Sequence, residues 1–398
     1  MPLSQRYAPL IIICSLLIGG CGETLDTKIP PAQGEGSAAQ PLSWFSRAAM
    51  QVMFDFSVWS GNRSGYIAMF ARDGQVVHAT TAGWADIASQ VPMQLDTRVR
   101  MASMTKPVTA VAAHILIEEG RLGLDDAVAK YIPAAANVRV ATSDSAGADG
   151  EFVTVAAAPQ LTVRHLLMFA SGIGSGSTDS DLGKLWQANE LYTGQGSLAR
   201  RVDRILGLPL YEQPGEVWRY GFAADVLARV VEVAADESFA AFVTTRILNP
   251  LGMTSSSFLP PPNERQGMAT VYTQDEQKNL VAVDEFKYDA SDWAPGGSGL
   301  VSTAGDYMRF ALMLWNQGSY NGVRILQPET VALMTQLHVP DGVLIEEGIE
   351  GLGWGLGVAV VADADKTRLS DRQGDFWWSG YSGTTLFVSP EPGLVAGV

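Results

Sequence analysis

The sequence predicts an α/β fold of the α+β kind: an antiparallel β-sheet flanked by helices, with an all-helical subdomain inserted. Three observations point there. Strand signals lie at both ends of the chain and helical periodicity in the middle, so segments distant in sequence must complete one sheet. Hydrophobic residues make up 47% of the 398 residues and charged residues 17%, which allows a large core and argues against disorder. No internal repeat is visible.

Residues 1–20 read as an export signal. Arg6 and the free amine give a positive start, and Ala8 to Gly20 form an apolar run of about a dozen residues. That is shorter than the ~20 residues a membrane-spanning helix needs. The run ends in Leu17-Ile18-Gly19-Gly20-Cys21, which resembles a bacterial lipobox with Cys21 as the thiol that takes the lipid. An ordinary signal with an incidental cysteine is the alternative. Residues 21–41, with Pro30-Pro31 and Gly36-Ser37, lack apolar periodicity and read as a flexible tether.

The body, residues 42–398, opens with a helix capped by Ser43, in which Phe45, Ala48, Ala49, Met53 and Phe56 recur at helical spacing. Tyr66 to Phe70 and Val76 to His78 flank Asp73-Gly74, a hairpin signal. A long helix is expected from near Ser103 to Gly120, with Val108, Val111, Ala112, Ile115 and Leu116 as its apolar positions. Val138 to Gln160 is small and polar and reads as a short hairpin turning at Gly147 to Gly150. Further helices are expected from Leu161 to Met168 (capped by Thr162), Ala223 to Ala235 and Tyr307 to Trp315. Thr384 to Val398 reads as two strands around Pro390-Glu391-Pro392-Gly393. The helical insertion covers roughly residues 120–290.

Composition removes several function classes. The net charge of -15 and the lack of a Lys/Arg cluster argue against nucleic-acid binding. Two cysteines supply neither a disulfide framework nor a four-thiolate zinc site, and His78, His114, His165 and His338 form no HExxH pair. No metal and no cofactor are expected. No G-x-S-x-G occurs, so an α/β-hydrolase reading lacks its nucleophile. His165 reads as structural, Glu118-Glu119 and Glu346-Glu347 as solvated pairs, and Arg200, Arg201 and Arg204 as a surface patch on one helix face.

Arg100-Met101-Ala102-Ser103-Met104-Thr105-Lys106-Pro107 is the most informative segment. Ser103 and Lys106 are three apart at a helix opening, so both project from one face. A serine hydroxyl needs a neighbouring base. A lysine serves if neutral, and desolvation together with the positive helix N-terminus favours that form. The same terminus offers the Ser103 N–H to a developing oxyanion.

In its wider setting the chain resembles the serine β-lactamase and penicillin-binding-protein superfamily, in particular an esterase-like branch near the class C enzymes. The resemblance rests on Ser103-Met104-Thr105-Lys106 with Glu119 to Asp126 after its helix, and on Leu161-Thr162-Val163-Arg164-His165-Leu166-Leu167 with Ser171-Gly172. It continues through Pro214-Gly215-Glu216 leading to Tyr220, Gly296 to Thr303 with Asp306-Tyr307, and Trp378-Ser379-Gly380. The resemblance implies a serine β-lactamase/DD-peptidase-like fold and assigns roles by position. Ser103 would be the acylated nucleophile, Lys106 would take or relay its proton, and Tyr220 would act as general base and later activate water. The N–H groups of Ser103 and Tyr381 would form the oxyanion hole. Gly380 would be glycine because substrate passes close to that strand edge. Relatives also continue past Val398 into a helix that packs on the sheet, so the chain is expected to lack its natural end and to expose an apolar face.

Two positions depart from the family pattern. Phe222 stands where Asn or Ser usually follows the tyrosine, and Trp378 stands where the third motif starts with Lys or His. That cation ordinarily faces a substrate carboxylate, so a charged hydrogen bond worth about 1.5–3 kcal/mol is missing. With Ser379 and Gly380, these two residues are the candidate substrate-binding positions. The losses favour neutral acyl substrates, and the family's esterases and acyltransferases often carry Trp there. The expectation is thus a carboxylesterase or acyltransferase on small neutral esters, membrane-anchored through Cys21 in a bacterial envelope, facing the periplasm or the outside. A β-lactamase or DD-carboxypeptidase and a non-catalytic binding relative are the alternatives.

Overall fold

The computed structural model describes residues 42–192, 196–258, 260, 265, 267–283, 293–339, 344, 345, 350–367, 369, 370, 372–391 and 393–397. The run to Cys21, the tether and Glu346-Glu347 lie outside these residues.

Helix α1 (Trp44–Trp59) starts at Ser43, whose hydroxyl accepts the Ser46 N–H at 3.0 Å. Of the apolar positions that recur at helical spacing, Phe45 and Phe56 are exposed, and the buried residues of the helix are Ser46, Met50 and Phe54. The helix carries two apolar stripes and only one meets the sheet, where Phe54 stacks on Tyr66 at 4.7 Å. Trp44, Phe45, Val52, Phe56 and Trp59 form the exposed stripe. Strands β1 (Gly65–Arg72) and β2 (Gln75–Asp86) follow as the expected hairpin, and Asp73 and Gly74 both adopt positive φ. Those are the dihedrals a tight two-residue hairpin turn demands.

After the short β3 (Val91–Pro92) the chain leaves the sheet and returns with β4 (Leu352–Trp354), β5 (Ala359–Val361), β6 (Phe376–Ser379), β7 (Thr385–Ser389) and β8 (Leu394–Gly397). The strand order is β4-β5-β6-β7-β8-β1-β2-β3, antiparallel throughout. The last strand therefore sits inside the sheet, with Phe70 opposite Ala396 on one side and Phe387 opposite Ala396 on the other. This is the closure by distant segments that the pattern predicted.

Helix α2 (Thr105–Glu118) runs through the centre, with Thr105 to Leu116 all buried. A helix apolar on every side has to be surrounded, and it packs against α3 (Ala223–Ala235) on the inserted side. Helix α4 (Ala304–Trp315), capped by Thr303, lies on β8 and β1. The insertion is mainly helical (Val163–Leu167, Asp181–Ala188, Leu198–Leu206, α3 and Phe239–Val243). It is not all-helical. Arg139–Ala141 pairs with Thr154–Ala156 as expected, and Tyr272–Gln274 pairs with Leu280–Ala282. His165 completes a capping box with Thr162, which explains this histidine structurally.

Candidate active site

Ser103 sits in a 3-10 turn, Ala102–Met104, that feeds directly into α2. Ala102 just before it has φ of +48°, a left-handed conformation that costs a non-glycine residue energy and persists where its surroundings enforce it. The enforcing contacts are visible. Thr105 Oγ1 donates to Ala102 O at 2.7 Å, Tyr307 Oη donates to Met104 O at 2.7 Å, and Thr384 Oγ1 donates to Met101 O at 3.0 Å. Tyr307 comes from α4 and Thr384 from the approach to β7, so the nucleophile turn is clamped from both sides.

Three side chains converge there. The Ser103 and Tyr220 hydroxyl oxygens are hydrogen-bonded at 2.5 Å, and Lys106 Nζ lies 3.1 Å from Ser103 Oγ. Lys106 Nζ also donates to Gly297 O at 2.8 Å and stands 4.6 Å from the centre of the Tyr220 ring. Ser103 and Tyr220 are half-buried while Lys106 is buried. Burial, partly opposed by Asp225 and reinforced by Arg201, brings Lys106 down to about 7. A lysine held there has a neutral fraction near physiological pH and a lone pair able to take a proton from Ser103.

The loop from Gly296 to Leu300 forms the floor. Thr109 Oγ1 donates to Gly296 O at 2.6 Å, and the Leu300 N–H donates to Thr105 Oγ1 at 3.1 Å. Leu300–Ser302 is the middle strand of a small sheet with Val99–Arg100 and Ser257–Phe258, which ties this loop to the nucleophile segment.

Tyr220 belongs to an aromatic wall. It stacks on Phe169 at 5.7 Å and lies 5.6 Å from Trp378, which meets Trp354 edge-on at 4.6 Å. Trp378 is only 6% exposed and occupies the place expected of it, at the end of β6 beside Tyr220. Phe222 is also buried, at 4.9 Å from Tyr192 on one side and 4.9 Å from the Arg201 guanidinium on the other. Ser379 is buried in β6, and the Tyr381 side chain is exposed.

The structure adds a reason for Gly380. A side chain there would collide with Met101 O and Thr384 Oγ1, a packing reason for glycine beside the expected one. The end of β6 and the nucleophile turn touch backbone to backbone, and a Ser382 hydroxyl hydrogen bond to Arg100 O holds the same junction.

The surface reading of Arg201 is overturned. Its side chain is 3% exposed and lies 2.8 Å from Asp225, also 3% exposed. Neither Arg201 nor Asp225 was a sequence candidate. Leu198, Val202 and Ile205 do place position 201 near the buried face of its helix, and that periodicity was the available signal. Trp354 was also missed as a site neighbour, because nothing local marks it, and Tyr307 was noted only as part of a motif block, without its contact to the nucleophile turn. Among the described residues no three or more His, Cys, Asp or Glu side chains gather as a metal would need.

A family model described as Beta-lactamase matches residues 46–398. The chain belongs to the β-lactamase family. Within that family it is 33% identical over 353 residues to Protein Rv1367c of Mycobacterium tuberculosis, covering 84% of this chain and 85% of the relative. It is 28% identical over 372 residues to Esterase EstB of Burkholderia gladioli, covering 87% and 88%. The solved structure of EstCE1, described as a hydrolase with promiscuous acyltransferase activity, superposes with a TM-score of 0.74 at 26% identity, covering 88% of this chain and 92% of that one. This chain is thus a serine hydrolase of the β-lactamase family, and its relatives include esterases. The expected resemblance and fold class hold.

Proposed function

We propose that the protein is a carboxylesterase or acyltransferase on small neutral esters, working through an acyl-enzyme on Ser103. The observation that carries this reading is Trp378 beside Tyr220 at 5.6 Å, where an anion-binding family member would present a cation. The esterase and acyltransferase descriptions of its relatives support the same choice.

Neutral Lys106, directly or through Tyr220, takes the Ser103 proton as Oγ bonds to the ester carbonyl carbon. The carbonyl electron pair moves onto oxygen and is met by the N–H groups of Ser103 and Tyr381. Collapse expels the alcohol, which leaves with a proton delivered by Tyr220 or Lys106. Tyr220, as phenolate or by passing its own proton to neutral Lys106, then takes a proton from water or an acceptor alcohol as that oxygen attacks the acyl carbon. The carbon–Oγ bond breaks, the proton returns to Ser103 Oγ, and the acid or new ester leaves. Trp378, Trp354 and Phe169 hold the Tyr220 ring and keep water from its flank.

The test compares p-nitrophenyl butyrate with a chromogenic cephalosporin, using kcat/KM for wild type and Trp378→Lys. Wild type is expected to favour the ester. The variant should lose ester turnover and gain roughly 10–150-fold on the anionic cephalosporin, the value of one charged hydrogen bond. Ser103→Ala should remove both activities and the acyl adduct seen by intact-mass spectrometry. A wild type faster on the cephalosporin would replace this reading with a β-lactamase or peptidase.

A lipid anchor on Cys21 and an envelope location are part of the same proposal, supported by the apolar run ending in Gly19-Gly20-Cys21. Cells expressing Cys21→Ala should lose the protein from the membrane pellet. If it stays there, lipid on this thiol is not the anchor.

A further inference from the structure

Behind Lys106 lies a charged pair that the acyl-enzyme chemistry does not use. Arg201 Nη1 and Asp225 Oδ1 are 2.8 Å apart, each side chain 3% exposed. The guanidinium is held between two rings, 4.9 Å from Phe222 and 4.3 Å from Trp293, and its Nε donates to Leu191 O at 2.6 Å. Neither Nη atom makes a well-directed hydrogen bond among the described residues. Such a pair is weak as a stabilising device, because apolar residues of similar volume often do as well or better. Its connection to Lys106 is direct in geometry. Asp225 Oδ1 accepts the Gly297 N–H at 3.3 Å, and the carbonyl of the same residue accepts from Lys106 Nζ at 2.8 Å. A Cβ on Gly297 would stand 2.7 Å from Asp225 Oδ2 and 3.5 Å from Lys106 Nζ, so both groups flank one glycine and leave no space for a side chain.

We propose that Arg201 and Asp225 are positioning residues for Lys106, fixing its nitrogen through Gly297 and balancing the charge around it. The inference rests on the Ser103–Lys106–Tyr220 reading above. Lys106 faces Ser103 from its own segment, Tyr220 across the site, Asp225 from α3 and Arg201 from the Leu198–Leu206 helix. Tyr192, which burial pushes up to about 12, is neutral and lies beyond Phe222. Asp225 favours protonated Lys106 and Arg201 opposes it, so the two work with opposite signs on the group that must be neutral to act.

The experiment is kcat/KM against pH on p-nitrophenyl butyrate for wild type, Asp225→Asn, Arg201→Met and the double variant, each checked by a thermal melt. Activity rises with pH as Lys106 loses its proton. Asp225→Asn leaves Arg201 uncompensated and should move this rise to lower pH. Arg201→Met should move it to higher pH, each by on the order of one pH unit. The double variant should fall between them. For the variants that remove a charge, shifts in the same direction, or lower activity with the rise unmoved, would overturn the proposal while leaving the esterase reading standing. A wild type with neither turnover nor an adduct on Ser103 would instead remove that reading first. Should a single variant fail to melt cooperatively, Arg201→Lys with Asp225→Glu keeps both charges but shifts Gly297. An unmoved rise with kcat reduced about tenfold or more supports positioning, and wild-type kcat overturns it.

Discussion

Lys106 illustrates a conflict between stability and chemistry at a single residue. Its side chain is buried, and burial holds the amine at about 7 against an ordinary lysine value of 10.5. Between those two values the unfolded chain binds a proton that the folded chain does not, so folding stability rises with pH across that window. Below about 7 both states carry the charge and the full penalty applies. Lys106→Met should therefore abolish turnover yet stabilise the fold, by on the order of a few kcal/mol below pH 7. The difference in melting temperature between variant and wild type should shrink as pH approaches 10. A gap that stays constant or widens with pH would show that the buried amine is not the source. The site's other buried charges, Arg201 and Asp225, enter as a pair, so their mutual attraction offsets part of the desolvation cost.

At the scale of elements, the site is a junction between a strand end and a helix start. Helix α2 supplies Lys106 and follows directly on the turn that carries Ser103, β6 supplies Trp378, and the turn after β6 presses against Met101 and Ala102. Gly380 is where the two backbones meet. Gly380→Ala should force β6 and the nucleophile turn apart, costing about 1–3 kcal/mol of stability. The loss in kcat should be larger in proportion, about 100-fold, because a displacement near 1 Å is enough to spoil attack geometry. Unfolding midpoints together with kcat would separate the two effects. Variants with full kcat would show that the junction tolerates the methyl group. The resemblance made Gly380 legible as a special position, but not the intramolecular contact that a side chain there would disturb. Its neighbours Met101 and Thr384 are far away or unremarkable in the chain, and only folding brings their oxygen atoms to the place a Cβ would occupy.

For the molecule as a whole, the decisive feature is that the sheet is shared between the two ends of the chain. Strand β8 joins β1 to β7 and so holds the N-terminal hairpin against the strands that frame Trp378. A chain shortened to end at Ser389 leaves β1 and β7 with unpaired edges and uncovers α4, which packs on β8. Such a chain should fail to melt cooperatively and should show no adduct on Ser103 with p-nitrophenyl butyrate. A cooperative transition with normal acylation would mean that the two parts of the sheet are independently stable. The exposed stripe of α1, Trp44 to Trp59, lies at this same scale and outside the reach of local pattern. Two apolar stripes on one helix are equivalent in sequence, and the sheet alone selects Met50 and Phe54.

Local patterns were enough for the hairpin at Asp73-Gly74, the helix from Ala223, the part of α4 from Tyr307 to Trp315 and the closing strands, while the Ser103–Lys106–Tyr220 set was legible through the resemblance to the family's ordered motifs. Turn chemistry, periodicity and ordered motifs act over a few residues, so they can be read without a fold. Periodicity could place Arg201 near the buried face of its helix but could not name its partners, because Asp225, Phe222 and Trp293 arrive from other segments. The same holds for the clamp by Tyr307 and Thr384 and for the aromatic wall, while the lowering of Lys106 was expected in direction and only its partners, Asp225 and Arg201, came with the fold. Burial and charge compensation are sums over contacts between distant segments, and those contacts exist only once the sheet has closed.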